Sequence, residues 1–173
     1  FMHERLGPSR PYSLFSYDSA FDQVRRDFAP LLGLDFLEAP KVLIVDDRSL
    51  GLSSTASVLS QAGFRPVGCL INPDYSPTPG TDWGSRSWLY ERNLASQIFQ
   101  SNRPVAAVCD KGLGRTDGIE FCRALNELTP TIMLTGEPQT RETHRVGSAY
   151  FEKPYDKPKL ISTLCHLTGF KPQ

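Results

Sequence analysis

The feature that most constrains the fold is a short apolar run ending in a carboxylate. Residues 105–109 are small or apolar, Asp110 closes the run, and a glycine-bearing loop and a helical pattern at 119–128 follow. A run that is apolar on both faces is typical of a strand buried in a parallel sheet. Ligands bind at the carboxyl edge of such sheets, and a buried acidic group there is costly unless its charge is used. Asp110 is therefore a candidate functional residue, although a cap for the next helix is the structural alternative.

The rest of the chain from residue 41 repeats this pattern of strand followed by helix. Apart from the fourth, each apolar strand is followed by a segment with helical periodicity before the next strand begins. This pattern predicts an α/β fold with a parallel sheet covered by helices on both faces. The five predicted strands are Lys41–Val45, Pro66–Ile71, Val105–Asp110, Thr131–Leu134 and Ala149–Glu152. The segment between the last two strands is almost wholly polar, so its helix should be short and poorly anchored.

Two segments depart from this repeat. Residues 1–40 form an N-terminal extension with one predicted short helix at 19–29, which is expected to pack on the main domain; a dimerisation helix and a linker to another domain are the alternatives. Residues 72–87 are rich in proline and glycine and predict an inserted loop. Aromatic residues in and beside it suggest a lid, or alternatively a partner-binding loop.

The composition excludes several classes of function. Nineteen basic and nineteen acidic residues cancel, so no overall charge favours nucleic acid or an anionic membrane surface. No apolar run approaches the roughly 20 residues that span a bilayer. The four cysteines are widely spaced and include no C-x-x-C pair, which predicts reduced thiols in a cytoplasmic protein.

Polar side chains end four of the five predicted strands. Because parallel strands bring their carboxyl ends to one edge, we expect these side chains to converge. Carboxylates in one crevice repel each other, and a hard divalent cation such as Mg²⁺ removes that penalty while keeping positions open for phosphoryl oxygens. A lysine and a threonine suit the phosphoryl group itself, so the pattern predicts phosphoryl transfer to an aspartate. The residues are Asp46, Asp47, Asp110, Thr135 and Lys153.

At these residues the chain resembles the receiver domains of two-component response regulators. The resemblance spans about residues 41–167 and rests on five short motifs in the expected order. They are Val-Asp-Asp at 45–47, Asp110 itself, Asp-Gly-Ile-Glu-Phe at 117–121, Met-Leu-Thr-Gly at 133–136 and Tyr-Phe-Glu-Lys-Pro-Tyr at 150–155. It implies a flavodoxin-like, doubly wound five-stranded parallel sheet of order 2-1-3-4-5 over residues 41–173.

The resemblance also implies roles for individual residues. Asp110 would be the phosphoacceptor, and Thr135 and Lys153 would bind the phosphoryl group. Tyr150 would follow Thr135 as a conformational switch, and the Lys153–Pro154 bond would be cis. The implied Mg²⁺ ligands are Asp46, Asp47, Asp110 and the backbone carbonyl of Gly112.

The implied partners are a histidine kinase or histidine phosphotransfer protein and a downstream effector or output domain. No contact with nucleic acid or a membrane is implied, and a homodimer is an open alternative. Such domains are signalling modules rather than enzymes in the usual sense, although they catalyse their own phosphorylation and dephosphorylation.

Departures from the family pattern leave alternatives open. The shortened fourth helix suggests an altered output surface, and Leu113-Gly114 after the acceptor suggests a more mobile loop. A pseudo-receiver that binds proteins without being phosphorylated is the main alternative function. A phosphatase of the haloacid-dehalogenase type is disfavoured, because its Asp-x-Asp motif does not match residues 45–48.

Overall fold

The computed structural model describes residues 10–17, 39–75, 87–138, 140 and 143–171. The helix predicted at 19–29 lies outside the described residues, as does the central part of the predicted insertion, residues 76–86. Only the two ends of that insertion are therefore described below.

Six strands form the main sheet. In chain order they are β1 (Tyr12–Ser16), β2 (Lys41–Asp46), β3 (Arg65–Ile71), β4 (Ala106–Asp110), β7 (Thr131–Thr135) and β8 (Ala149–Glu152); β5 (Gly112–Leu113) and β6 (Thr116–Asp117) form a separate hairpin. The order across the main sheet is β1-β3-β2-β4-β7-β8. The five strands from β3 to β8 in this order run parallel, which confirms the predicted doubly wound arrangement.

The sixth strand, β1, was not predicted from the sequence. It pairs antiparallel with β3, from Tyr12 opposite Ile71 to Ser16 opposite Val67. Its residues are half-buried or exposed, so the segment shows no apolar pattern, and the backbone pairing with β3 defines it as a strand. Part of the N-terminal extension thus belongs to the same sheet as the rest of the molecule, while the proposed division of the chain at residue 40 stays a prediction.

Helices cover both faces of the sheet, as predicted. They are α1 (Ser49–Gln61), α2 (Ser87–Asn102), α3 (Gly118–Asn126) and α4 (Lys157–Thr168). One core layer joins α2 and α3 to the sheet, with Ile98 and Phe121 fully buried, and the other joins α1 and α4, with Leu59 and Leu160 fully buried. Each helix therefore buries one apolar face against the sheet, which is what holds it in place.

The connection between β7 and β8 carries a single short 3₁₀ turn, Thr143–Arg145, in its described part. Val146 anchors the turn in the core and is 1% exposed. This agrees with the expectation of a shortened, weakly anchored element at the fourth helix. Among the helices that the structure describes, none has the length and apolar character needed to cross a bilayer.

Candidate functional site

The site begins with two neighbouring strands in the middle of the sheet. Strands β2 and β4 are parallel partners, with Val45 opposite Cys109, so the residues that follow them in register are Asp46 and Asp110. Asp47 comes directly after β2. The side chain of Cys109 lies in the core, as alternation along the strand predicts. Sheet topology alone therefore brings carboxylates from distant parts of the sequence to one edge.

The three carboxylates form one cluster. A ligand oxygen from each of Asp46, Asp47 and Asp110 lies within 4.8 Å of the others. Asp46 is 4% exposed, and the side chains of Asp47 and Asp110 are 15% and 13% exposed. The structure thus brings together the acidic residues predicted from the sequence, in a crevice that is open to solvent on one side.

Lys153, which follows the edge strand β8, supplies a positive charge to this cluster. Its Nζ lies 3.0 Å from Oδ2 of Asp110 and 3.8 Å from Oδ2 of Asp46. Lys153 follows β8, and its backbone N–H donates to the carbonyl of Thr135 at 2.7 Å. The Lys153–Pro154 peptide bond is cis, as the resemblance implied.

The electrostatics of the cluster favour a bound cation. Burial raises the pKa of Asp46 to about 6, and the nearby carboxylates of Asp110 and Asp47 add to that rise. Burial also raises the pKa of Asp47. The charged forms are therefore poorly compensated by the protein itself. An all-oxygen donor set with excess negative charge is the kind that Mg²⁺ prefers, so these residues fit that ion.

Thr135 and Tyr150 lie on the neighbouring strands β7 and β8. Thr135 ends β7, is 2% exposed, and its Oγ1 accepts a hydrogen bond from the backbone N–H of Glu137 at 3.0 Å. The hydroxyl of half-buried Tyr150 donates to the carbonyl of Glu137. Glu137 also pairs through its side chain with Lys111, the residue after Asp110. The loop after β7 is thus tied to both predicted switch residues.

Helix α3 is capped by Asp117 and not by Asp110. The Asp117 side chain accepts hydrogen bonds from the backbone N–H groups of Ile119 and Glu120. The helix N-terminus is therefore satisfied without Asp110, whose carboxylate lies instead against Lys153.

Gly51 is a site residue that sequence reasoning missed. A Cβ atom at this position, in the first turn of α1, would lie 2.1 Å from Oδ2 of Asp46. The Asp46 carboxylate, whose Oδ1 accepts from the N–H of Arg48 at 2.8 Å, therefore needs a residue without a side chain at position 51. The signal in the sequence was a glycine inside a helix, where it is about 1 kcal/mol less favourable than alanine.

A cleft of about 400 Å³ opens over Asp46 and Asp110. Its walls come from the start of α1, including Leu50, and from the segment that links β8 to α4, including Tyr155. The Tyr155 hydroxyl and Thr55 Oγ1 share a hydrogen bond of 3.0 Å, which joins the two walls. The acidic cluster is thus reachable by a ligand or by a side chain of another protein.

Comparison with known structures identifies this fold. A receiver domain from Methylobacillus flagellatus has a TM-score of 0.54 and 19% identity, covering 75% of this chain and 98% of its own. The chemotaxis protein CheY4 of Vibrio cholerae gives 0.54 and 22%, with 75% and 98% covered. The receiver domain of DrrB, described as activated by BeF3, gives 0.55 and 17%, with 76% and 99% covered. The chain has the receiver-domain fold.

This chain is longer than the receiver domains that it matches. The structures above are matched over nearly their whole length, whereas about a quarter of this chain has no counterpart in them. No protein-family model matches the sequence. No curated protein matches it either.

Proposed function

We propose that this chain is the phosphoacceptor receiver domain of a two-component signalling system. Asp110 accepts a phosphoryl group from a phosphohistidine of a histidine kinase or of a phosphotransfer protein. Phosphorylation then alters a surface that a downstream effector or output domain recognises. The observation that carries the proposal is the cluster itself: three carboxylates within 4.8 Å, with Lys153 Nζ 3.0 Å from Asp110.

In this proposal Mg²⁺ is held by Asp46, Asp47, Asp110 and the backbone carbonyl of Gly112. When bound, the ion offsets the repulsion among the carboxylates and draws negative charge from the phosphoryl oxygens. The raised pKa of Asp46 supports this assignment, because a buried carboxylate that is costly to ionise alone gains most from a nearby cation.

The chemistry at Asp110 is a displacement at phosphorus. A carboxylate oxygen of Asp110 forms the new O–P bond while the N–P bond of the phosphohistidine breaks, and the imidazole leaves with its electron pair and takes a proton from solvent. The ammonium group of Lys153 contacts Asp110 Oδ2. After the transfer it can pair with an oxygen of the phosphoryl group instead.

Thr135 and Tyr150 carry the signal away from the site. The Thr135 hydroxyl now accepts from the Glu137 N–H, and donation to a phosphoryl oxygen would reorient that hydroxyl. The Tyr150 hydroxyl is bound to the same residue through its carbonyl. A change at Thr135 therefore reaches Tyr150 through Glu137. We assign the domain to the cytoplasm, where histidine kinases present their phosphoryl groups.

Phosphorylation by a small donor tests the function directly. The protein is incubated with acetyl phosphate and MgCl₂, and its intact mass is followed by mass spectrometry. We expect the mass of one phosphoryl group on the natural protein, none on Asp110→Asn, and none when EDTA replaces MgCl₂. The adduct should be lost on mild alkaline hydrolysis, as an acyl phosphate is.

The alternative function, a pseudo-receiver that only binds proteins, predicts a different result. Such a protein would take no phosphoryl group and would not bind beryllofluoride in the presence of Mg²⁺. That pair of negative results would overturn the phosphoacceptor proposal, as would an adduct that persists in Asp110→Asn.

A further inference from the structure

The loop after Asp110 is a short hairpin formed by residues 112–117, which we call the acceptor hairpin. Strand β5 pairs antiparallel with β6, with Gly112 opposite Asp117 and Leu113 opposite Thr116. The glycine assigned to the cation through its carbonyl is thus part of this hairpin, and Leu113 fixes the hairpin to the core with 1% exposure. The sequence predicts a mobile loop here; contacts with two other parts of the chain would restrict its motion.

The first contact comes from the turn after β3. Gly114 has φ +64°, and a Cβ atom there would lie 2.5 Å from both Cα and Cβ of Pro73. The backbone N–H of Arg115 donates to the Pro73 carbonyl at 3.2 Å. The tip of the acceptor hairpin therefore lies directly against Pro73. A residue other than glycine at position 114 would collide with Pro73 through its Cβ atom.

The second contact comes from the start of α2. The side chain of Glu91 is 1% exposed, and its Oε1 accepts a hydrogen bond from the N–H of Asp117 at 3.2 Å. The other carboxylate oxygen has no hydrogen-bond partner among the described residues. A carboxylate buried with so little compensation is costly, which indicates that its bond to the acceptor hairpin is needed. The neighbouring Tyr90 hydrogen-bonds to Thr116.

The turn that carries Pro73 is itself anchored on the two residues that precede β1. The backbone N–H of Asn72 donates to the Pro11 carbonyl at 2.9 Å, and its Nδ2 donates to the Arg10 carbonyl at 3.1 Å. The Asn72 Oδ1 accepts from the N–H of Asp74 at 3.1 Å and shapes the turn. Residues outside the parallel sheet thus provide a fixed base for the contact at Gly114.

We propose that Pro73 and Glu91 are positioning residues for the cation site. Pro73, in the turn after β3, contacts the tip of the acceptor hairpin, and Glu91, in α2, contacts its second strand. Together they keep Gly112 close to the Asp110 carboxylate. The inference rests on the proposed Mg²⁺ site. Its physical basis is preorganisation: a loop with glycines at 112 and 114 has high backbone freedom, and ordering it in advance removes that entropic cost from cation binding.

The test compares alanine at two glycines with the same backbone conformation. Gly114 and Gly169 have φ +64° and +69°, but a Cβ at Gly169 meets no atom within 4 Å. Alanine therefore brings similar backbone strain at both positions and a collision with Pro73 only at 114. Isothermal titration with MgCl₂ on the full chain should show a dissociation constant raised about tenfold or more for Gly114→Ala and by less than about twofold for Gly169→Ala, the range typical of lost supporting contacts.

Glu91 gives a second and independent test. Glu91→Gln keeps the oxygen that accepts from Asp117 and should bind Mg²⁺ within about twofold of the natural protein, whereas Glu91→Ala should bind about tenfold more weakly. A purely structural role would lower the unfolding free energy of these variants without changing the dissociation constant of the folded protein. Should Gly114→Ala fail to fold, the Glu91 pair decides the question alone.

The outcomes separate this inference from the proposed function. If the natural protein binds Mg²⁺ and the folded Gly114→Ala and Glu91→Ala variants bind it equally well, the positioning role is wrong and the proposed function stands. If the natural protein binds no Mg²⁺, the proposed function fails and the positioning role fails with it.

Discussion

At the scale of single residues, the site brings together three carboxylates whose negative charges repel one another. Asp46 is almost fully buried, lies next to two other carboxylates and is 3.8 Å from the ammonium group of Lys153. Gly51 leaves room for its carboxylate rather than using that space for packing. Such an arrangement favours cation binding and lowers the stability of the folded protein when no cation is bound. This trade-off is common at functional sites.

Replacing Asp46 with asparagine should make the metal-free protein more stable at neutral pH. The pKa of Asp46 is raised from 3.8 to about 6 in the folded state. Because the folded state binds this proton more tightly than the unfolded state does, stability falls as pH rises through this window, and the full penalty is present at pH 7. Asp46→Asn removes the penalty, which corresponds to about 3 kcal/mol.

Urea unfolding in EDTA at pH 7 and again near pH 3.5 measures this effect. The gain from Asp46→Asn should be largest at pH 7 and shrink towards zero at the acidic end, where the natural carboxyl is protonated in both states. Added MgCl₂ should stabilise the natural protein and not the variant. A variant that is less stable than the natural protein at pH 7 in EDTA would contradict this account.

At the scale of elements, the described part of the connection from β7 to β8 contains a single 3₁₀ turn. The bonds of its 3₁₀ turn are local: Thr143 N–H donates to Thr140 Oγ1 at 3.3 Å and Val146 N–H donates to the Thr143 carbonyl at 3.4 Å. Among the residues of this connection whose burial is described, Val146 and Thr143 are buried, at 1% and 3% exposure. The element is therefore held by few apolar contacts, in contrast to the strands beside it.

Hydrogen exchange should show this contrast in the unphosphorylated protein. We expect the amides of residues 143–145 to exchange at least about 100-fold faster than those of Ile132–Leu134 in β7, because few apolar contacts must be broken to open the turn. Mass spectrometry after peptic digestion resolves the two segments. Equal protection in both would mean that this connection is a stable element, and the proposal of an altered output surface would lose its basis.

The sequence was most informative where burial leaves a pattern. Strands β2, β3, β4 and β7 were predicted because they are apolar on both faces. Helix α1 was predicted because Leu52, Ala56 and Leu59 recur at helical spacing. The meeting of Asp46 and Asp110 followed from parallel topology alone. Strand β1 was missed because an exposed edge strand has no apolar period. The contact of Gly114 with Pro73 was missed because it joins residues far apart in the chain.

At the scale of the whole molecule, residues 12–16 of the N-terminal segment add an edge strand to the receiver fold. Strand β1 covers the edge of β3 that would otherwise present unpaired backbone groups to solvent. At the carboxyl edge of β3, Asn72 donates to the carbonyls of Arg10 and Pro11, the two residues that directly precede β1. The sheet, the turn at Asn72 and the acceptor hairpin are thus joined in one continuous set of contacts.

Two N-terminal deletions test whether β1 is an integral part of this set. Removing residues 1–17 deletes the strand and should lower the unfolding free energy by on the order of 2 kcal/mol, since several backbone hydrogen bonds and the packing of Tyr12 are lost. The amide of Asn72, which donates to Pro11, should also lose its protection from hydrogen exchange. Removing residues 1–9 leaves β1 intact and is the matched control. If both deletions match the full chain in urea unfolding and in protection at Asn72, then β1 contributes nothing to the stability of the sheet, and the turn at Asn72 must be held by β3 alone.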